Sequence, residues 1–171
     1  MKDLETAPAN TALANTGKFI DPDRTAKGEQ RAKVALERLD TLWFNTGTLC
    51  NIACVNCYID SSPTNDALAY LGAAEVESYL DELDSAPMRP REIGFTGGEP
   101  FLNPEMIAMT RAALRRGYEV LVLTNAMRPM QRPWVKAGLL SLQRDFPGKL
   151  TLRVSLDHFS PAHHDEMRGA G

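Results

Sequence analysis

The chain has three cysteines, and all fall within eight residues: Cys50, Cys54 and Cys57, spaced C-x3-C-x2-C. A disulfide framework spreads an even number of cysteines over a fold, and this set is odd and local. Structural zinc closes a tetrahedron with four ligands, and the local set stops at three. A cubane iron–sulfur cluster held by three thiolates keeps one iron without a protein ligand, and an open metal position is a place for chemistry. A second chemical stretch is Gly97-Gly98-Glu99-Pro100. Two glycines let a backbone bend and admit something close to it, while Glu99 adds a carboxylate. Taken alone, that tetrapeptide also reads as an ordinary strand-to-helix turn. His163 and His164 offer imidazoles, but no knuckle-like pairing joins them to the cysteines in a zinc site. Arg111, Arg115 and Arg116 lack interleaved aromatics and read as a solvated helix face rather than a nucleic-acid patch.

These groups need elements to hold them. Residues 41–45 (Thr-Leu-Trp-Phe-Asn) form a short apolar strand running into the cysteine loop. After a long loop, Val76, Tyr79, Leu80 and Leu83 make one face of a helix from about Ala73 to Leu83. A second strand, Glu92 to Thr96, breaks at Gly97-Gly98. Asn103 then caps a helix with Pro104 in its first turn, running to Arg116 and stopping at Gly117. Val120 to Thr124 is a third strand, ending at Asn125. A helix over about 133–145 and a fourth strand, Leu150 to Leu156, ending at Asp157, complete the series. Strands alternating with helices every ~30 residues predict βα units and a parallel sheet. The expected fold is α/β, a partial TIM-like barrel of parallel strands with about four βα units. Every unusual residue falls just after a strand's C-terminal end, the rim on which such barrels build active sites.

The three-cysteine spacing resembles the cluster motif of radical S-adenosylmethionine (SAM) enzymes, and the resemblance spans about residues 41–169. It implies a [4Fe-4S] cluster on Cys50, Cys54 and Cys57, with SAM chelated to the open iron through its amino and carboxylate groups. Gly97-Gly98-Glu99 resembles the family's glycine-glycine-glutamate motif, which meets the methionine ammonium of SAM. Ser155, in Val154-Ser155-Leu156-Asp157, resembles a position contacting the ribose or carboxylate. Asn125 and Met127 resemble rim positions. The family usually places an aromatic residue before the third cysteine, near the adenine; here Asn56 stands there and Tyr58 follows the cluster motif. His158 replaces a glycine common after the aspartate. The stretch from His163 to Gly169 resembles one some relatives carry, with Arg168 able to reach a carboxylate or simply to lie on a helix surface. The implied activity is reductive cleavage of SAM to methionine and a 5′-deoxyadenosyl radical that abstracts hydrogen from an unidentified substrate. It implies an external one-electron reductant, flavodoxin- or ferredoxin-like. The alternative is a catalytically incomplete fragment or a non-catalytic metal- or cluster-binding module.

With 171 residues, 43% hydrophobic and 24% charged, the chain has room for one domain with a real core. A formal net charge of −3 gives no bulk field to recruit nucleic acid or anionic membrane, so neither is an expected partner. No apolar run approaches ~18 residues, and Met1–Asn15 lacks a signal core, so the expected location is cytoplasmic, where thiolates stay reduced. Residues 1–22 read as a mobile N-terminal arm and 23–171 as the core domain, apparently truncated at its C-terminal end. Within the latter, Ala32, Ala35, Leu36 and Leu39 predict a helix from Asp23 to Leu39.

Overall fold

A computed structural model of the chain describes residues 20–169. Most of the expected arm, residues 1–19, lies outside the described residues. The chain divides into two compact units between Glu37 and Arg38.

In the first unit, the helix expected from Asp23 does not form. The chain instead turns back at Gly28, with an antiparallel bridge between Arg24 and Gln30 and an ion pair between Lys33 and Asp23. Half of the expected stripe is alanine, and Leu36 within it and its neighbour Val34 are 61% and 93% exposed. A lone helix of this length is marginal in water without an apolar face to bury, which is what this segment lacks.

The second unit runs β1 (Thr41–Asn45), α1 (Ala73–Ser85), β2 (Glu92–Thr96), a single 3-10 turn (Pro100–Leu102), α2 (Met106–Arg115), β3 (Glu119–Thr124), α3 (Arg128–Gln131), α4 (Pro133–Asp145), β4 (Leu150–Val154) and α5 (Pro161–Arg168). All strands are parallel, in the order β1-β2-β3-β4. Successive strands lie side by side with no switch point. Right-handed crossovers therefore put the intervening helices on one face, as in a barrel rather than a doubly wound sheet.

The core sits between that face and the helices. Phe44, Ile93, Phe95, Val120 and Val122 pack with Val76 and Leu80 of α1, Met106 and Met109 of α2, and Val135 and Leu142 of α4. The register aligns Trp43 with Gly94 and Gly94 with Leu121 on the opposite face. The expected cap at Asn103 does not sit on the helix: α2 begins at Met106 with Glu105 at its N-cap and no side-chain cap, and Asn103 Oδ1 instead accepts from the Glu105 N–H at 2.9 Å within the preceding turn. The Asn103 amide donates to the carbonyls of Leu71 and Thr46, tying the start of α2 to the loop after β1. Glu105 in turn accepts from the Ala73 N–H at the start of α1, a favourable place for a carboxylate. The four-residue α3 is too short to leave a periodic signal. Arg111 and Arg116 are engaged across helices, with Asp145 and with Asp81 and Asp84. Among the described residues, no helix is long and apolar enough to cross a membrane.

Candidate functional site

The cysteine loop is held from three directions. On the first side, Thr46 continues β1 by donating to Thr96 O at 2.8 Å. Gly98 N–H then donates to Gly47 O at 2.9 Å and Glu99 N–H to Leu49 O at 3.1 Å. This requires glycine: a Cβ at Gly98 would stand 2.1 Å from Leu49 O, and Gly97 has φ of +134°. On the second side, the long loop doubles back, so that Cys50 N–H donates to Ser62 O at 3.1 Å and Leu68 N–H to Thr48 Oγ1 at 3.1 Å. On the third, α5 returns to the loop: Val55 N–H donates to Met167 O at 2.9 Å.

All three thiols are free and line one open cavity of about 220 Å³. Cys50 is buried, whereas Cys54 and Cys57 are half-buried. Gly97, Gly98, Asn125, Ser155 and Tyr58 line the same cavity, so the structure brings these sequence candidates together. Tyr58 is 79% exposed, at the mouth. Each thiol has polar donors nearby: Asn125 Nδ2 is 3.8 Å from Cys50 Sγ, on which the Ile52 and Asn51 backbone N–H groups also act, Arg168 Nη1 is 3.9 Å from Cys54 Sγ, and Ser61 N–H lies 3.2 Å from Cys57 Sγ. Burial pushes the Cys50 thiol up, with the nearby Glu99 and Cys54 charges adding to it. Burial also raises Cys54, while Arg168 works in the opposite direction. Among the described residues, no group of three or more His, Cys, Asp or Glu side chains is arranged to hold a single metal ion.

Glu99 is a sequence candidate that stands apart from the cavity lining. Its carboxylate is 2% exposed and accepts from Thr124 Oγ1 at 2.8 Å, Asn125 N–H at 2.8 Å and Phe101 N–H at 3.1 Å. It fastens the turn after β2 to the end of β3 and thereby sets Asn125. Burial raises its pKa, and the three hydrogen bonds only partly oppose this. Asn125 also donates to Asn51 Oδ1 at 3.0 Å, so Glu99 acts on the cysteine loop through one intermediary. Met127 is not in the lining; its Sδ accepts from Asn51 Nδ2 at 3.8 Å.

Arg168 is not a plain helix-surface arginine. Its side chain is only 18% exposed, lines the cavity and pairs with Asp157. The histidines serve the loop between β4 and α5: His158 Nδ1 accepts from Ser160 N–H at 2.9 Å and His164 Nδ1 from Asp157 N–H at 3.3 Å. Sequence reasoning missed Ser61 and Thr96, which also line the cavity; no motif marks either. Asp157, one of the unusual residues expected on the strand-end rim, lines the cavity as well.

The sequence profile of the Radical SAM superfamily matches residues 44–171. The antilisterial bacteriocin subtilosin biosynthesis protein AlbA of Bacillus subtilis is 29% identical over 120 residues, covering 70% of this chain and 25% of AlbA. An AdoMet-dependent heme synthase of Methanosarcina barkeri is 28% identical over 120 residues, covering 70% of this chain and 32% of that enzyme. Among solved structures, Streptococcus suis SuiB bound to S-adenosylmethionine superposes with a TM-score of 0.62 at 17% identity, over 77% of this chain and 28% of SuiB. SuiB bound to its precursor peptide SuiA superposes equally well. The chain thus spans about a quarter to a third of the length of these relatives. With the profile running over three quarters of its sequence, from Phe44 through the cysteine loop, the sheet and α5, this chain belongs to the radical SAM superfamily.

Proposed function

We propose that this chain carries the cofactor-binding part of a radical SAM enzyme, with a [4Fe-4S] cluster on Cys50, Cys54 and Cys57 and SAM beside it. The observation that carries the reading is the convergence of three free thiols and the Gly97-Gly98 turn on one cavity at the C-terminal ends of parallel strands. The donor set fits a cluster better than a single ion. A lone cation needs its ligands to converge, which these side chains do not do, whereas a cubane is held at separate corners by separate thiolates. Together, cluster and SAM supply one-electron reductive cleavage and hydrogen abstraction.

The chain's own residues would do the rest. The backbone carbonyls of Gly97 and Gly98 are acceptors for the ammonium of SAM, with Glu99 fixing the turn from behind. Arg168, held by Asp157, offers its guanidinium to the carboxylate. Ser155 and Tyr58, both on the cavity, would meet the ribose and the adenine, and Asn125 would orient the loop carrying Cys50. A protein one-electron donor of flavodoxin or ferredoxin type, in a reducing cytoplasm, completes the requirements. The two sequence relatives are named for bacteriocin biosynthesis and for heme synthesis. The residues shared at this level therefore go with cofactor chemistry and leave the substrate open.

Anaerobic reconstitution with iron and sulfide, followed by incubation with SAM and a strong reductant, tests the reading. Formation of 5′-deoxyadenosine supports it; bound zinc without SAM cleavage refutes it in favour of a non-catalytic metal-binding module.

A further inference from the structure

One side chain on the cavity is out of keeping with the rest. Ser61 is 5% exposed, and its Oγ is the one buried side-chain nitrogen or oxygen among the described residues without a hydrogen-bond partner. Buried hydroxyls are almost always hydrogen-bonded, so a solitary exception asks for an explanation. Its position supplies one. Ser61 lines the cavity together with Cys50, Cys54 and Cys57, and its own N–H already donates to Cys57 Sγ. It is also rigidly held. Asp60 adopts φ of +51°, uncommon outside glycine, which redirects the chain immediately before Ser61. Immediately after it, Ser62 accepts from Cys50 N–H and bridges to Leu49. Ser61 is thus pinned between two of the three cysteines, with an unused donor at the cavity they share.

We propose that Ser61 Oγ donates a hydrogen bond to a sulfur of the iron–sulfur group held by Cys50, Cys54 and Cys57, beside the bond its N–H gives to Cys57, and so raises the reduction potential of that group. This rests on the cluster assignment above. The sign follows from charge: reduction adds an electron to an already anionic assembly, and a donor aimed at its sulfur stabilises the more negative state more. The hydroxyl is also suited to the task because it carries no charge of its own and can rotate to follow the sulfur.

The test is Ser61→Ala, reconstituted anaerobically beside the wild type and titrated by absorbance and electron paramagnetic resonance against redox mediators. The expected result is wild-type iron and sulfide content with a lower potential. At a fixed applied potential, the ratio of reduced to oxidised cluster should fall about tenfold, a shift of ~59 mV for a one-electron couple. In the cluster-free protein, the same substitution should leave the urea midpoint unchanged or raise it, since the hydroxyl has no partner within the chain to lose. Ser61→Thr, which keeps the hydroxyl, should load iron like the wild type and hold its potential; should Ser61→Ala load poorly, wild-type loading by Ser61→Thr assigns the loss to the hydroxyl. A fully loaded Ser61→Ala with the wild-type potential overturns the inference and leaves the cluster assignment standing. So does a lowered urea midpoint in the cluster-free variant, or poor loading by both variants. A wild-type protein that assembles no cluster overturns both.

Discussion

Gly98→Ala is expected to disturb the cysteine loop itself, because the space a side chain would need is occupied by backbone. A Cβ there would lie 2.1 Å from Leu49 O, 2.6 Å from Leu49 C and 2.8 Å from Thr48 O. Side-chain tips could swing aside, but these atoms belong to the main chain leading into Cys50. Separation must grow by roughly 1 Å, which lengthens the bonds from Gly98 N–H to Gly47 O and from Glu99 N–H to Leu49 O beyond useful range. Overpacking contributes ~1–3 kcal/mol and each of the two lost backbone bonds ~0.5–1.5 kcal/mol, so the destabilisation should be about 2–6 kcal/mol. If ~2 kcal/mol of that falls on local opening, the open population of the loop rises about 30-fold. Cys50 reports this directly, since it is 6% exposed in the closed loop. Alkylation at fixed pH, with the modified cysteine identified by peptide mass mapping, should show Cys50 reacting about 30-fold faster in Gly98→Ala. Gly148→Ala is the control: Gly148, unlike Gly98, has a positive φ, so alanine there is strained, but open space surrounds its missing side chain, and it is remote from the loop in sequence. A Cys50 rate in Gly98→Ala within twofold of wild type would refute the reasoning. So would an equal acceleration in Gly148→Ala.

Other outcomes follow from the same geometry. Cys50→Ala, Cys54→Ala and Cys57→Ala should each fail to retain a reconstituted cluster, and a full complement of four irons in any one of them would remove that residue from the ligand set. The Glu99 pKa is raised above its ordinary value of 4.5. Below 4.5 both folded and unfolded states hold the proton and no penalty exists; as pH rises through the folded value, the unfolded chain ionises more readily and stability falls. Urea midpoints should therefore decline with rising pH in the wild type over that window and stay flatter in Glu99→Gln; parallel curves would show that burial of this carboxylate carries no linkage. Leu80→Ala, at a fully buried position of α1 against the sheet, should lower unfolding free energy by ~2–5 kcal/mol, and a loss under 1 kcal/mol would mean α1 is not packed as described. Arg168→Gln should weaken SAM binding about tenfold, the effect of one charge-assisted bond; spectroscopic titration showing unchanged affinity would return Arg168 to a purely structural role beside Asp157.

The sheet was legible because its strands are dense apolar runs between Gly, Pro and Asn. Buried strands of a parallel sheet leave little else to read, and β1 and β2 fall on the expected residues. The segment from Asp23 to Leu39 misled for the opposite reason. Its helical period rests on two alanines and two leucines, and a period with so little volume, its Leu36 left 61% exposed, gives a helix little to bury. Within the site, the cysteine spacing and the glycine pair are local features and were visible as such. What Glu99 touches was not visible, since its partners Thr124 and Asn125 lie 25 and 26 residues further on, at the end of another strand. Arg168 depended on the length and direction of α5, which spacing alone does not give. Ser61 had no signal at all: only the three-dimensional path of the loop shows that a serine four residues past Cys57 faces the cavity.

The return of α5 to the cysteine loop also has a meaning in time. Val55 is joined to Met167, and Cys54 lies beside Arg168, so parts made at opposite ends of the core must meet before the loop is closed. A ribosome adding about 5–20 residues per second takes roughly 6–22 s to travel from Val55 to Met167. Throughout that interval Cys54 is outside the exit tunnel or nearing it without the arginine that will stand over it, open to oxidants and stray metal ions. Pulse alkylation of nascent chains stalled before and after Arg168 clears the tunnel would measure the exposure. The site is therefore most vulnerable before it exists, and the last helix described is the one that ends the wait.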